Sequence, residues 1–260
     1  MARSSSESRS SSAHASADPR GRLIVGLDVD TASAAEAVLA RLGDAVRFYK
    51  IGLQLFVAAG PDVVKMVQAR GADVFLDLKL HDIPNTVAMA AVEAARLGVR
   101  LFNVHASGGL EMMTRTVAEV ERVCEAEGRR RPAILGVTVL TSLDAADLAL
   151  VGIPRAPGPQ ALRLARLARR AGLDGVVASA RETPAIRRAC GPAFVIVTPG
   201  VRAPGAARHD QKRVATPGEA IAAGADYVVT SRSVLDAADP VAAANAIVTD
   251  MTRGAPTRCR

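Results

Sequence analysis

One unit repeats along this chain of 260 residues: a short apolar run, a polar residue at its end, then an amphipathic stretch that stops at or near a glycine. The apolar runs fall at 23–28, 46–50, 73–79, 100–105, 133–140, 175–179, 194–198 and 227–231. Helical spacing follows at 32–42, 53–69, 87–97, 110–127, 143–151, 160–171, 184–189, 217–223 and 242–251. Near-continuous apolar strands alternating with helices predict a parallel sheet buried on both faces. Glycine at the helix ends suits a left-handed cap. Eight such units in this length predict an α/β fold, a single-domain (β/α)8 TIM barrel. A doubly wound open sheet fits less well, because no Gly-x-Gly-x-x-Gly follows the first strand. Residues 1–20 are rich in Ser, Arg and Ala without periodicity and read as a disordered tail. The barrel is expected over 21–253, with a C-terminal tail at 254–260.

In such a barrel the site gathers at the C-terminal ends of the strands. Those ends carry Asp28, Lys50, Asp77 with Lys79, His105, Ser179, and Ser231 with Arg232. The third strand is the richest. Side chains two apart on a strand share a face. Asp77 and Lys79 are therefore expected above Phe75, with Leu76 and Leu78 turned the other way. Asp82 follows just before a Pro-Asn-Thr turn that opens a helix. Arg202 and Arg232 follow the seventh and eighth strands, where barrels of this kind hold phosphate. The long segment between Val201 and Thr216 reads as a lid over that end. His81 and His105 lack metal-ligand spacing and are expected to be hydrogen-bonded structural residues.

Lysine usage sharpens the reading. The 33 basic residues include only four lysines, Lys50, Lys65, Lys79 and Lys212. Arginine does the ordinary surface work, so a retained lysine points to a task that guanidinium cannot perform, such as giving up a proton. Lys65 and Lys212 are expected on a solvated helix face and on the lid. The net charge of +7 is partly in the tails, and aromatic residues make up only 3%. Nucleic-acid binding is not expected from that balance; a small anionic ligand is. No run approaches the ~20 apolar residues of a membrane span. Cys124, Cys190 and Cys259 are odd in number and scattered, as in a cytoplasmic protein with reduced thiols.

The string Asp77-Leu-Lys-Leu-His-Asp-Ile-Pro-Asn-Thr86 resembles the signature of the orotidine 5′-phosphate decarboxylase family. So do Leu27-Asp28, Tyr49-Lys50-Ile-Gly, Asn103-Val-His105, Val139-Leu-Thr141-Ser, Val197-Thr-Pro-Gly-Val-Arg202, Asp210-Gln211 and Arg232, in family order from about Arg22 to Val248. The resemblance implies cofactor-independent decarboxylation of orotidine 5′-phosphate to UMP, the last step of de novo pyrimidine biosynthesis, without a metal. It implies that Lys79 is the proton donor within an array of Lys50, Asp77, Lys79 and Asp82. Asp28 and Lys50 would contact the ribose, and Thr141 the pyrimidine. Arg202, Gln211 and Arg232 would hold the phosphate. A homodimer is also implied, with Asp82 and Thr86 reaching the neighbouring subunit's site. Ser231 departs from the family, which usually has glycine beside the phosphate.

Two other readings remain open on the residues alone. One is a magnesium-dependent sugar-phosphate decarboxylase or aldolase using Asp77 and a neighbouring acid as ligands. The other is a nucleotide-binding protein without turnover.

Overall fold

The computed structural model describes residues 18–201 and 215–255. Arg202, Gln211, Lys212, Cys259 and residues 1–17 of the expected N-terminal tail lie outside the described residues. Eight strands are present among the described residues: β1 (Leu23–Gly26), β2 (Phe48–Gly52), β3 (Asp73–Leu80), β4 (Leu101–His105), β5 (Ala133–Val137), β6 (Gly175–Val177), β7 (Val195–Pro199) and β8 (Tyr227–Thr230). Each pairs parallel with the next, and β8 pairs with β1 to close the barrel. The fold is the (β/α)8 barrel that the alternating pattern predicts.

Helices fill the connections. The first half has α1 (Ala32–Leu42), α2 (Leu53–Ala59), α3 (Asp62–Gln68), α4 (Pro84–Arg96) and α5 (Gly109–Ala126). The second has α6 (Ala145–Leu150), α7 (Pro157–Arg170), α8 (Thr183–Cys190), α9 (Pro217–Ala222), α10 (Arg232–Leu235) and α11 (Pro240–Gly254). The single helix expected at 53–69 is two, because Gly60 closes α2 and Pro61, which has no N–H, precedes α3. The fifth strand is shorter than expected. Both the backbone N–H and the hydroxyl of Thr138 donate to the Val177 carbonyl, and the strand stops at Val137.

Strand alternation sorts the apolar residues into two layers. Ile24, Phe48, Phe75, Leu135, Val197 and Val229 belong to one buried cluster inside the barrel. Their neighbours Val25, Tyr49, Leu76, Ile134, Ile196 and Val228 belong to another, packed against the helices. The N-terminal end of the barrel is closed by Arg100. Its guanidinium lies 5.1 Å from the Phe48 ring centre, donates to the Tyr227 hydroxyl at 3.0 Å, and pairs with Asp73 at 2.5 Å. Phe48 and Tyr227 meet edge to face at 5.7 Å. Cys124 and Cys190 are buried and form no disulfide.

Where β6 meets β7 the backbones lie so close that a Cβ on Gly175 would overlap the Val195 carbonyl oxygen. We predict that Gly175→Ala destabilises the protein by about 1–3 kcal/mol, the usual cost of overpacking. Equilibrium denaturation measures it, and an unchanged midpoint would contradict the close approach.

Candidate active site

Three strand ends build a chain of alternating charge. Asp28 lies two residues beyond β1, Lys50 lies on β2, and Asp77 and Lys79 lie on β3. The Lys50 Nζ stands 2.9 Å from Asp28 Oδ1 and 3.6 Å from Asp77 Oδ2. The Lys79 Nζ donates to Asp77 Oδ1 at 2.8 Å. Both Asp77 oxygens therefore face an ammonium. Gly26 makes room for this arrangement, since a Cβ there would stand 3.0 Å from the Lys50 Cε. Burial acts to raise the Asp28 carboxyl pKa, but Lys50, with Ser231 and Lys79, pulls it below the ordinary carboxylate value.

The backbone of β3 is not a regular strand here. Leu76 pairs with Phe102 and Leu80 with Val104, so β3 carries two more residues than β4 across the same interval. Within that bulge Lys79 has φ +53°, the only non-glycine residue with positive φ among the described residues. Such a conformation costs an L-residue on the order of 1–2 kcal/mol and persists only when neighbours impose it. Asn103 on β4 touches the bulge. Its Oδ1 accepts from the Lys79 backbone N–H at 2.8 Å, and its Nδ2 donates to Asp77 Oδ1 at 2.7 Å. In the sequence Asn103 stands within the Asn103-Val-His105 string with no role attached to it; a polar residue facing inward on a buried strand is the signal that marks it.

The charges border a cavity of about 190 Å³. Lys50, Asp77 and Lys79 line it together with Phe75, Val137, Val139, Val177, Pro199 and Thr141. One region can thus hold charge while the other takes a flat apolar ring, with Thr141 as a polar contact.

The remaining candidates are placed as follows. Ser231 is the N-cap of α10, and its hydroxyl donates to the Gly26 carbonyl at 3.1 Å. Arg232 is exposed on the first turn of that helix. Asp82 is exposed and makes no ion pair with Lys50 or Lys79; its Oδ1 accepts from the Ile83 N–H at 2.6 Å. Thr86 is exposed on α4. Ser179 does not face the cavity. The strand has already ended at Val177, and Ser179 turns inward to donate from its backbone N–H and hydroxyl to the buried Glu182 carboxylate. His81 and His105 are also not hydrogen-bonded among the described residues; their rings meet at a tilt of 36°, with centres 5.3 Å apart. Lys65 pairs with Asp62 on an exposed helix face, as expected. No group of three His, Cys, Asp or Glu side chains comes together among the described residues.

A closed parallel barrel with opposed lysines and carboxylates over a small cavity at its strand ends defines a (β/α)8-barrel enzyme. Residues 21–247 match the family model described as Orotidine 5′-phosphate decarboxylase / HUMPS family. The chain belongs to that family. It is 53% identical to a Geobacter sulfurreducens protein named orotidine 5′-phosphate decarboxylase, over 90% of this chain and 98% of the relative. A Moorella thermoacetica protein of the same name is also 53% identical, over 89% of this chain and 92% of the relative. Among solved structures, the orotidine 5′-phosphate decarboxylase of Lactobacillus acidophilus superposes with a TM-score of 0.77 at 38% identity, covering 88% of this chain and 97% of that one.

The paired histidines carry a pH consequence. Burial, then His81 and Lys79, push the His105 imidazole below its ordinary value of 6.5, and Asp77 offsets this only in part. As pH falls below 6.5, the unfolded chain takes up a proton at this position before the folded chain does. Stability at this position is therefore present above that pH and lost as pH falls toward the lower folded value. We predict that His105→Gln loses less melting temperature than the parent between about pH 7.5 and about pH 5.5. Equal losses would remove His105 from the acid sensitivity.

Proposed function

We propose that this chain decarboxylates orotidine 5′-phosphate to UMP, the last step of de novo pyrimidine nucleotide biosynthesis, without a cofactor. The observation that carries the proposal is Lys79, its ammonium fixed on Asp77 at 2.8 Å and bordering an otherwise largely apolar cavity. Loss of CO2 from C6 of the orotate ring leaves an electron pair with no ring position to delocalise it. An ammonium held where that charge develops stabilises it without reorganisation and then delivers a proton to the same carbon. Asp77 holds Lys79 and Lys50 in place, and Asp28 aligns Lys50 from the other side for the ribose hydroxyls. Thr141 meets the pyrimidine.

Asp77 also stands close to where the substrate carboxylate would lie. Two charges about 4 Å apart interact by about 4 kcal/mol at an effective dielectric near 20. Enzymes lower barriers by roughly 8–23 kcal/mol. Repulsion of the substrate is therefore a minor contribution, and stabilisation of the developing anion is the main one. The phosphate would sit at the ends of β7 and β8, beside Arg232 and Ser231, and the family resemblance assigns Arg202 and Gln211 to it as well. Its binding there supplies energy to order the reacting end.

The catalytic domain in this proposal spans 21–253, and the protein works as a cytoplasmic homodimer. Support for the dimer comes from the surface beside the site. Asp82 and Thr86 are exposed, and Ile83 and Met89 next to them are 67% and 42% exposed although apolar. Each subunit would place Asp82 and Thr86 at its partner's Lys79. No helix of the described residues is long and apolar enough to cross a membrane. The magnesium-dependent sugar-phosphate reading is disfavoured by Asp77 itself, because its two oxygens already face ammonium groups.

The primary test is an absorbance assay on orotidine 5′-phosphate with chelator-treated protein, in which turnover should persist. Activity abolished by the chelator and restored by magnesium would instead support the sugar-phosphate reading. Lys79→Ala should lower kcat at least about 10³-fold while UMP still binds. Near-normal turnover would take the proton-donor role away from Lys79. Co-expressing Lys79→Ala chains with Asp82→Asn chains should recover about a quarter of the parent activity, because mixed dimers keep one intact site. No recovery would mean that Asp82 serves its own subunit.

A further inference from the structure

Lys79 needs two things fixed: a left-handed backbone and a stationary ammonium. One buried side chain touches the groups that fix both. Asn103 is 1% exposed, in the middle of β4. Its Oδ1 takes the Lys79 N–H at 2.8 Å, within the bulge where φ is +53°. Its Nδ2 reaches Asp77 Oδ1 at 2.7 Å, the same oxygen that receives the Lys79 Nζ at 2.8 Å. The links close a ring from the Lys79 amide, through Asn103 and Asp77, to the tip of the Lys79 side chain.

A primary amide supplies one acceptor and one donor at that fixed spacing at any ordinary pH. Leucine has a similar size and neither group. An ionised carboxylate can accept from the Lys79 N–H but cannot donate to Asp77. Protonated, it regains a donor and has nearly the shape of the amide. Asn103 does not line the cavity, so its influence on substrate passes through Lys79 and Asp77.

We propose that Asn103 is a positioning residue: it holds the β3 bulge in its left-handed form and sets where the Lys79 ammonium stands against the reacting carbon. The catalytic part of this rests on the decarboxylase reading above; the structural part does not.

The test uses Asn103→Leu and Asn103→Asp in the full-length chain. Asn103→Leu should lower kcat about 10²-fold, the scale of a 1 Å misplacement. KM and UMP affinity should stay within about threefold, since the ribose and phosphate contacts are untouched. A crystal structure of that variant should show Lys79 leaving positive φ. The kcat of Asn103→Asp, relative to the parent at each pH, should rise as pH falls through the pKa of the introduced carboxyl. Burial and Asp77 beside it act to raise that value, and the Lys79 N–H and ammonium act to lower it. Unchanged kcat in Asn103→Leu overturns the proposal, as does Lys79 keeping its conformation there. So does a pH-independent deficit in Asn103→Asp, or a loss of UMP affinity matching the loss of kcat. If Asn103→Leu does not fold, the pH profile of Asn103→Asp decides. A parent protein inactive on orotidine 5′-phosphate would refute the decarboxylase reading alone, and the Lys79 conformation in the variant would still decide the structural claim.

Discussion

The Asp77 carboxylate sits between two ammonium groups, 2.8 Å from Lys79 and 3.6 Å from Lys50, and the rest of the mouth is built around it. Two lysines this close to one cavity repel each other unless a carboxylate stands between them. That carboxylate is only 12% exposed in its side chain, so much of its hydration is gone. Removing charges from water costs more than their mutual attraction returns unless further hydrogen bonds help. Asn103 supplies one to Oδ1, and Asp28 takes up the far side of Lys50. The array is therefore a demand on the fold rather than a source of stability. Barrel closure meets that demand, because it brings the ends of β1, β2 and β3 side by side.

Stability is found at the opposite end. Asp174 accepts from the Ile134 N–H and from Arg131, and Asp226 accepts from the Ile196 N–H and from Arg187. Asp73 opens β3 and pairs with Arg100. Arg187 also donates to the carbonyls of Gly191, Phe194 and Gly224. A planar guanidinium with five donors can serve several acceptors at once, and an ammonium cannot do so in a fixed fork. This gives the arginine bias of the chain a physical meaning. Arginine staples strand starts and loops where permanence matters. Lys50 and Lys79 stand at the mouth, where the decarboxylase reading requires a proton to be released.

Periodicity made the fold legible, because each strand is apolar on both faces and every helix except α10 stops at or within three residues of a glycine. The charged mouth was legible too, since the strand ends at Asp28, Lys50 and Asp77 coincide with the ends of apolar runs. The conformation of Lys79 was not. The bulge in β3 adds two residues, and two is the strand period. Asp77 and Lys79 therefore keep the parity of a regular strand, and nothing in the pattern betrays the break. Ser179 misled for the converse reason: the apolar run continues past Val177, but the ladder does not, so parity no longer governs its direction. The histidines were expected to find hydrogen bonds and instead found each other, a contact between two strand ends that no single segment encodes. Asn103 stayed without a role because its partners are a backbone N–H and a carboxylate on a neighbouring strand.

The same bulge bears on Asp82. Counting along the chain, this carboxylate lies only three residues beyond Lys79 and belongs beside it. The left-handed turn at Lys79 redirects the chain, and Pro84 opens α4 with its N-terminus at the mouth. Between these two constraints Asp82 is left at an exposed corner, its carboxylate folded onto the next backbone N–H. Returning it to its own lysines would require undoing either the bulge or the first turn of α4. In the proposed homodimer, a second copy approaching this corner, where Ile83 and Met89 present apolar surface, would complete the four-charge array without disturbing either. The strain that aims Lys79 inward and the exposure of Asp82 are thus two consequences of one local backbone choice.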